Sequence, residues 1–257
     1  MDTEGIARLL EQTAAEIILP RFQQLAHGDV IEKKPGDLVT IADREAEDYL
    51  TGLLREAHPG AVIVGEEGVF ADASLLDGLA TAEHAFVIDP IDGTRNFVAG
   101  RDEFGVMLAE VRDGVTTRGW ILQPQAQRMY IAELGGGVTL NGAPIDRTRA
   151  DRAPLGATSK RSIHGFTAEG RLSPVVESAW CCAFDYPKVL HGDVDFLVYT
   201  TVHPWDHLAG SLMVTESGGV SRTLAGEDYT VASRARGLLI ASDQKTWAAA
   251  QEAWPAR

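Results

Sequence analysis

Cysteine is scarce in this chain, and its two copies, Cys181 and Cys182, are adjacent. That geometry suits no structural disulfide, and two thiols are too few for a zinc cage; both are read as reduced, buried side chains. Long apolar runs are missing as well. No stretch approaches the roughly 20 residues of a membrane span, and the opening Met1-Asp2-Thr3-Glu4 lacks the basic-then-apolar layout of a signal peptide. A cytoplasmic location is the expectation, with no membrane partner. The third deficit is positive charge: 23 Lys and Arg against 37 Asp and Glu give a formal net charge of −14. Without a basic patch, general binding to nucleic acid is disfavoured. An anionic substrate is repelled too, so a phosphate-bearing one requires recruited cations that reverse the local sign. Internal repeats and low-complexity tracts are absent. What remains is an ordinary globular composition, 45% hydrophobic and 23% charged. The length allows one large domain or two modest ones with a substantial core.

The chain is organised around Asp89-Pro90-Ile91-Asp92-Gly93-Thr94-Arg95-Asn96-Phe97, which follows the apolar run Ala85-Phe86-Val87-Ile88. A β-like run ending in two carboxylates and then Gly-Thr reads as a strand emptying into a turn that holds metal and phosphate.

Before it, Ile6, Leu9, Leu10, Ala14, Ile17 and Ile18 form one helical face, with Thr3 as the expected N-cap and a bend at Pro20. Lys33 to Asp37 is turn chemistry leading into Leu38 to Asp43, where Thr40 and Asp43 fit a capping box for a second helix ending near His58-Pro59-Gly60. Ala61 to Val64 reads as a short buried strand and Gly65-Glu66-Glu67-Gly68 as a loop. After a loosely helical segment around Leu75 to Leu79 and the central motif, Phe104 to Val111 and Val115 to Leu122 form a hairpin turning at Asp113-Gly114. Arg128 to Glu133 and Gly137 to Leu140 continue the meander. One mostly antiparallel sheet is expected across residues 61 to 146.

Asp146 to Pro154 is polar and breaks the pattern. The expected division is therefore 1–150, an N-terminal α+β half for metal and phosphate, and 151–257, a C-terminal α/β half for the substrate. In the second half, Leu155 to Ser159 reads as a strand, Pro174 to Ser178 as a helix and Trp180 to Phe184 as a strand. Pro187 to His191 reads as a short helix, Val194 to Tyr199 as a strand, and Trp205 to Ser217 as a helix closed by Gly218-Gly219. A strand at Leu238 to Ala241 and a final helix from about Gln244 complete it.

Five carboxylates stand at strand ends or helix starts: Asp43, Glu66, Asp89, Asp92 and Asp206. Singly, each is read as an acidic residue complementing a helix dipole or sitting in a loop. Together they are hard oxygen ligands at the places where α/β proteins build sites, and such ligands suit Mg²⁺. Gly93-Thr94 adds outward-pointing backbone amides able to hold phosphate oxygens, and Gly93 lets the backbone approach closely. A metal cluster beside an amide turn is equipment for metal-assisted hydrolysis of a phosphate ester. The alternative at this point is an inert acidic surface.

Gly65-Glu66-Glu67, Asp89-Pro90-Ile91-Asp92-Gly93-Thr94, Trp205-Asp206-His207-Leu208-Ala209-Gly210 and Glu216-Ser217-Gly218-Gly219, with Asp37-Leu38-Val39-Thr40 and Asp43 ahead of them, resemble the signature segments of the inositol monophosphatase family in order and spacing over most of the chain. The resemblance implies an α/β (α+β) fold, a layered α/β/α/β/α sandwich, and a Mg²⁺-dependent, often lithium-sensitive phosphomonoesterase, often a homodimer. By position, Glu66, Asp89, Asp92, Asp206 and the main-chain carbonyl of Ile91 would bind two or three Mg²⁺ ions. Asp43 would hold Thr94, Thr94 and Glu66 would orient a metal-activated water, Gly93 and Thr94 would meet the phosphate, and Glu67 would support the ligands. The implied partner is a small phosphorylated metabolite such as inositol monophosphate or another polyol or sugar phosphate.

The chain departs from the family where the alcohol is read. In place of Arg-x-x-Gly-Ser/Thr-Ala it has Ala179-Trp180-Cys181-Cys182-Ala183-Phe184-Asp185, and Tyr199 stands at the usual acidic position before Trp-Asp. Cys182, Asp185 and Tyr199 are the candidate substrate residues, with a buried structural role the alternative for Asp185. His203 and His207, flanking Asp206, are read as packing or supporting residues. Arg95 after Gly-Thr resembles the histidinol-phosphate phosphatase branch, a resemblance that makes histidinol phosphate a rival substrate, and 3′-phosphoadenosine 5′-phosphate and fructose 1,6-bisphosphate are others. The rival outside enzymology is a regulatory or assembly protein with a vestigial metal site.

Overall fold

The computed structural model describes residues 1–147, 151–234 and 236–255. The first half opens with α1 (Thr3–Thr13), the hairpin β1 (Val30–Lys34) and β2 (Asp37–Thr40), α2 (Ile41–Ala57), β3 (Val62–Gly65) and α3 (Glu66–Ala71). It continues through β4 (His84–Asp92), α4 (Thr94–Val98), β5 (Gly105–Arg112), β6 (Val115–Gln123), β7 (Arg128–Glu133), β8 (Gly137–Leu140) and β9 (Ala143–Pro144). The second half contains β10 (Gly156–Thr158), β11 (Val176–Glu177), α5 (Cys182–His191), β12 (Phe196–Tyr199), α6 (Pro204–Glu216), β13 (Val220–Thr223), β14 (Leu238–Ala241) and α7 (Gln244–Ala253). The division expected at 150/151 touches residues 148–150, which lie outside the described residues. Among the described residues no helix is long and apolar enough to cross a membrane.

β3 to β9 make a seven-stranded sheet in sequence order, parallel only between β3 and β4. The second sheet has five strands in the order β11-β10-β12-β14-β13, with β10 parallel to both neighbours. Alternate residues of a strand face opposite sides of its sheet, and that alternation sorts the core into layers. Phe86 and Ile88 of β4 pack with Ile6 and Leu10 of α1 and Leu50 of α2. Ala85 and Val87 face the other way, onto a middle layer built from α5 and α6. Leu238 and Ile240 of β14 share that middle layer, whereas Leu239 and Ala241 pack against Trp247 and Ala250 of α7. The sequence of layers is α, β, α, β, α, the sandwich that the resemblance implies.

Several local expectations are corrected. Asp2, whose side chain accepts from the Gly5 amide, caps α1 in place of Thr3, and the apolar face continues as a π-helical turn, Ala14–Ile18, before the 3-10 turn that contains Pro20. Gly65 to Gly68 is a strand end and helix start, because the Glu47 carboxylate of α2 accepts from the Glu67 and Gly68 amides at 2.8 and 2.7 Å. Pro174 to Ser178 is no helix: the β-branched pair Val175-Val176 feeds β11, an edge strand on β10. Trp180 to Phe184 is no strand, since α5 runs from Cys182 through Pro187 to His191. A proline there leaves the carbonyl four residues back without its helical donor. Gln123 of β6 supplies one, donating from Nε2 to the Ala183 carbonyl at 2.8 Å.

Candidate active site

β4 carries Asp89 and Asp92, three residues apart, which a regular strand would send to opposite faces. A bulge prevents this: Asp89 pairs with Met107 and Asp92 with Gly105, so three steps on β4 match two on β5. One extra residue resets the alternation and re-aims the side chains. Asp206 arrives from the first turn of α6, begun at Pro204. Ligand atoms of Asp89, Asp92 and Asp206 all lie within 4.8 Å of one another.

Such a cluster is electrostatically unfavourable by itself. Burial raises the Asp89 and Asp206 carboxyls well above their ordinary range, and repulsion from neighbouring carboxylates, Glu66 among them, raises them further. Asp89 is buried and its Oδ1 has no hydrogen-bond partner among the described residues. An orphaned acceptor among packed acids is what a hard divalent cation satisfies, so the residues fit the metal that the motifs imply.

Asp92 does a second job. Its Oδ2 accepts from the Cys181 thiol at 2.9 Å and from the Ala183 amide in the first turn of α5. These bonds offset part of a pKa rise caused first by burial. Glu66 stands at the start of α3 and is held by Lys33 of β1, whose Nζ lies 2.8 Å from both Glu66 Oε1 and Glu67 Oε1. The Lys33 side chain is only 2% exposed. Burial alone would lower its pKa, yet the two glutamates leave it raised, while burial pushes Glu66 up to about 7 against the pull of Lys33.

Gly93 has a φ of +82°, and an added Cβ there would lie 2.9 Å from the Glu103 carbonyl, so only glycine fits the turn that opens α4. The Thr94 hydroxyl, with one proton to give, lies 3.1 Å from Asp43 Oδ1 and 2.9 Å from the Ile91 carbonyl, two acceptors that share it. Asp43 completes the capping box with Thr40 and is raised to about 6, burial being the main cause. Glu66, Asp89, Ile91, Asp92, Gly93, Thr94 and Asp206 all line one cavity of about 220 Å³.

The candidate substrate residues sit elsewhere. Asp185 is fully buried, accepts the Ala179 amide at 2.7 Å on Oδ1 and faces the Tyr199 hydroxyl at 3.3 Å on Oδ2. Burial raises it to about 6. Cys181 and Cys182 are both free and buried. None of Cys182, Asp185 and Tyr199 is among the described residues lining the cavity; Trp180 and Arg95 are. His207 is buried between the Tyr186 hydroxyl, 3.1 Å from Nδ1, and the Thr201 carbonyl, 3.2 Å from Nε2. His203 stacks on Trp205. Reading the sequence missed Lys33, Glu47 and Trp180. Glu47 carried a signal, since it lies one helical turn beyond Asp43 on α2, and Trp180 carried one in standing inside the segment that departs from the family's alcohol-reading motif; Lys33 carried none.

Buried acids beside an amide turn, at the junction of two sheets, define a metal-dependent phosphoric monoester hydrolase. The chain belongs to the inositol monophosphatase family, whose profile matches residues 3–256. It is 31% identical to the inositol-1-monophosphatase of Bacillus subtilis, covering 82% of each chain. It is 32% identical to the fructose-1,6-bisphosphatase/inositol-1-monophosphatase of Thermotoga maritima, over 80% of each. A protein named Nus factor SuhB from Pseudomonas aeruginosa is 30% identical, over 95% of this chain and 93% of that one. Among solved structures, the Thermotoga maritima IMPase superposes with a TM-score of 0.80 at 27% identity, covering 98% of both chains.

Proposed function

We propose that the protein hydrolyses a small phosphomonoester, the phosphate of a polyol or sugar, with Mg²⁺ as its metal. The observation that carries this is the Asp89, Asp92 and Asp206 cluster with its orphaned Asp89 oxygen, one turn from the Gly93-Thr94 amides. Glu66, Asp89, Asp92, Asp206 and the Ile91 carbonyl would hold two or three ions. Mg²⁺, when bound, supplies the Lewis-acid charge that neutralises a phosphate and makes water a nucleophile near neutral pH.

The chain's own groups then divide the work. Backbone amides of Gly93 and Thr94 present N–H donors to the phosphate oxygens where charge builds up. Asp43 anchors the Thr94 hydroxyl, so that Thr94 and Glu66 together orient the attacking water. Lys33 holds Glu66 and Glu67 and keeps the pair compatible with burial. Glu47, through two amides of α3, fixes where Glu66 starts.

The test is phosphate release from a panel of inositol, sugar, histidinol and adenosine phosphates with and without Mg²⁺. Release should require Mg²⁺ and fall by at least about a hundredfold in Asp89→Asn, a loss comparable to removing one preorganised charge-stabilising group, while circular dichroism stays that of the parent. Failure to turn over any member with Mg²⁺ or Mn²⁺ would remove the proposal. The Nus factor name of the Pseudomonas relative favours a second reading, in which the same fold acts by binding a partner. Partner capture unaffected by Asp89→Asn, without phosphatase activity, would select it.

A further inference from the structure

We propose that Trp180, Arg95 and Arg161 form the subsite that reads the alcohol half of the ester, and that they take an alcohol carrying a second anionic group. The inference rests on the phosphatase reading above and names the substrate class of that site.

Trp180 is held in an uncommon backbone conformation. Its φ is +58°, a region that bulky side chains avoid. Neighbours hold it there: Asp185 Oδ1 binds the Ala179 amide, Asp92 Oδ2 takes the Cys181 thiol, and Glu177 Oε1 accepts from the indole Nε1 at 2.8 Å. Left-handed backbone maintained from three directions places the ring where two cavities meet. Trp180 and Arg95 line both the catalytic cavity and a larger one of about 1190 Å³ beside it.

Arginines gather around that ring. The guanidinium carbons of Arg95 and Arg161 lie 5.5 and 5.8 Å from its centroid, and Arg101 lines the same larger cavity. Among the described residues none of these three arginines has an ion-pair partner, in a protein of net charge −14. Arg95 spends one donor on the Gly36 carbonyl and keeps the rest. The larger cavity is also lined by three acids, Asp102, Glu103 and Glu177, against four cations, Arg95, Arg101, Arg161 and Lys188; Glu177 is engaged by the indole, and Lys188 lies 3.6 Å from Asp185.

A guanidinium resting on an aromatic face keeps its N–H edge available, and that edge matches phosphate or carboxylate in paired hydrogen bonds. A neutral polyol offers these groups no counter-charge. An aminoalcohol phosphate is repelled by them. An alcohol with a second phosphate or a carboxylate fills the subsite while its first phosphate lies at the metal cluster.

The experiment compares kcat/KM, with Mg²⁺, for fructose 1,6-bisphosphate, 3-phosphoglycerate, glycerol 2-phosphate and histidinol phosphate. One of the first two should exceed glycerol 2-phosphate by about tenfold or more, the size of one charge-assisted contact. Which of them does so distinguishes phosphate from carboxylate as the second anion. Arg161→Gln, at an exposed position, should narrow that ratio by about tenfold; Arg161→Lys should restore part of it. Trp180→Gly, which tolerates the positive φ, should narrow it as well. Turnover of glycerol 2-phosphate or histidinol phosphate as good as that of the better of the first two, or a ratio that Arg161→Gln leaves alone, overturns this inference only. Release from none of the four, with release from another member of the wider panel, overturns this inference alone; release from no member of either set overturns the phosphatase reading and this inference with it.

Discussion

Asp89 is the residue at which folding and chemistry disagree most sharply. Its Oδ1 is buried without a partner, and its charge is opposed by burial and by three or more neighbouring acids. Burying one unsatisfied polar group costs about 1–3 kcal/mol. Asparagine keeps a polar atom at that position but removes the charge that burial and the neighbouring acids oppose, so Asp89→Asn should raise the melting temperature of the metal-free protein, by roughly 2–4 °C for each kcal/mol recovered. The same change should reduce the stabilisation that Mg²⁺ gives, and calorimetry with and without EDTA reads both effects. A variant less stable than the parent in EDTA would mean that Oδ1 has a partner, beyond the hydrogen bond that the Asp89 carboxyl shares with Asp206. Asp185 is a separate case. Burial lifts its pKa from 3.8 to about 6, more than the Ala179 amide and Lys188 lower it. A raised folded pKa favours the folded state fully below pH 3.8, and that contribution is lost as pH climbs through 6. Asp185→Asn keeps an acceptor for the Ala179 amide and removes the titration. Its stability relative to the parent should improve by roughly 2–3 kcal/mol between pH 4 and pH 7, at 1.36 kcal/mol per pKa unit. Urea unfolding at several pH values checks this; a difference that stays flat across the range would sink it.

Two elements that build the site share a property that explains what was legible in the sequence. α3 and α5 have no side-chain N-cap of their own, Gly65 and Cys181 standing at those positions. Their caps come from far away: Glu47 serves the Glu67 and Gly68 amides, and Asp92 serves the Ala183 amide. Local reading detects a capping box such as Thr40 and Asp43, and α2 is accordingly legible, as are the meander from β5 to β8 and the α6 helix with its Gly218-Gly219 end. It cannot detect a cap supplied 91 residues away, which is why Trp180 to Phe184 looks like a strand, or one supplied 20 residues away, which is why Gly65 to Gly68 looks like a loop. Pro187 misleads for the same reason, because Gln123 repairs the backbone bond that it deletes. Among the site residues, the carboxylates at strand and helix ends are legible from position. The bulge that brings Asp89 and Asp92 onto one face is not, since it depends on pairing with β5. Glu47→Ala should leave two amides at the start of α3 without their carboxylate and cost about 2 kcal/mol or more. It should also weaken Mg²⁺ binding in a calorimetric titration, since Glu66 is the first residue of that helix. Unchanged Mg²⁺ affinity in a folded Glu47→Ala would detach α3 placement from the metal site.

At the scale of the whole molecule, the acidic cluster is a seam. Asp89 and Asp92 belong to the seven-stranded sheet, whereas Asp206 and the α5 start held by Asp92 belong to the second half of the chain. α6 lies in the middle layer. A Cβ added at Gly119 of β6 would lie 3.0 Å from the Ala209 Cα, and one added at Gly210 would lie 2.3 Å from the Tyr186 ring, so the helix is pressed close to both β6 and α5. A cation shared by Asp89, Asp92 and Asp206 would therefore tie together layers that packing already couples. Anything that binds only the folded state stabilises it by mass action, about 2.7 kcal/mol at a concentration one hundred times Kd. Because those candidate ligands come from both halves, Mg²⁺ should move one cooperative unfolding transition upward as a unit. General screening of the net charge of −14 also raises stability, so the control is NaCl at matched ionic strength, where the Debye length is the same. The Mg²⁺ increment above that control should disappear in Asp206→Asn, which removes the one ligand contributed by α6. Differential scanning calorimetry decides the matter. Two separate transitions, with Mg²⁺ shifting only one, would place the cation within a single half, and an increment that NaCl reproduces would reduce it to screening.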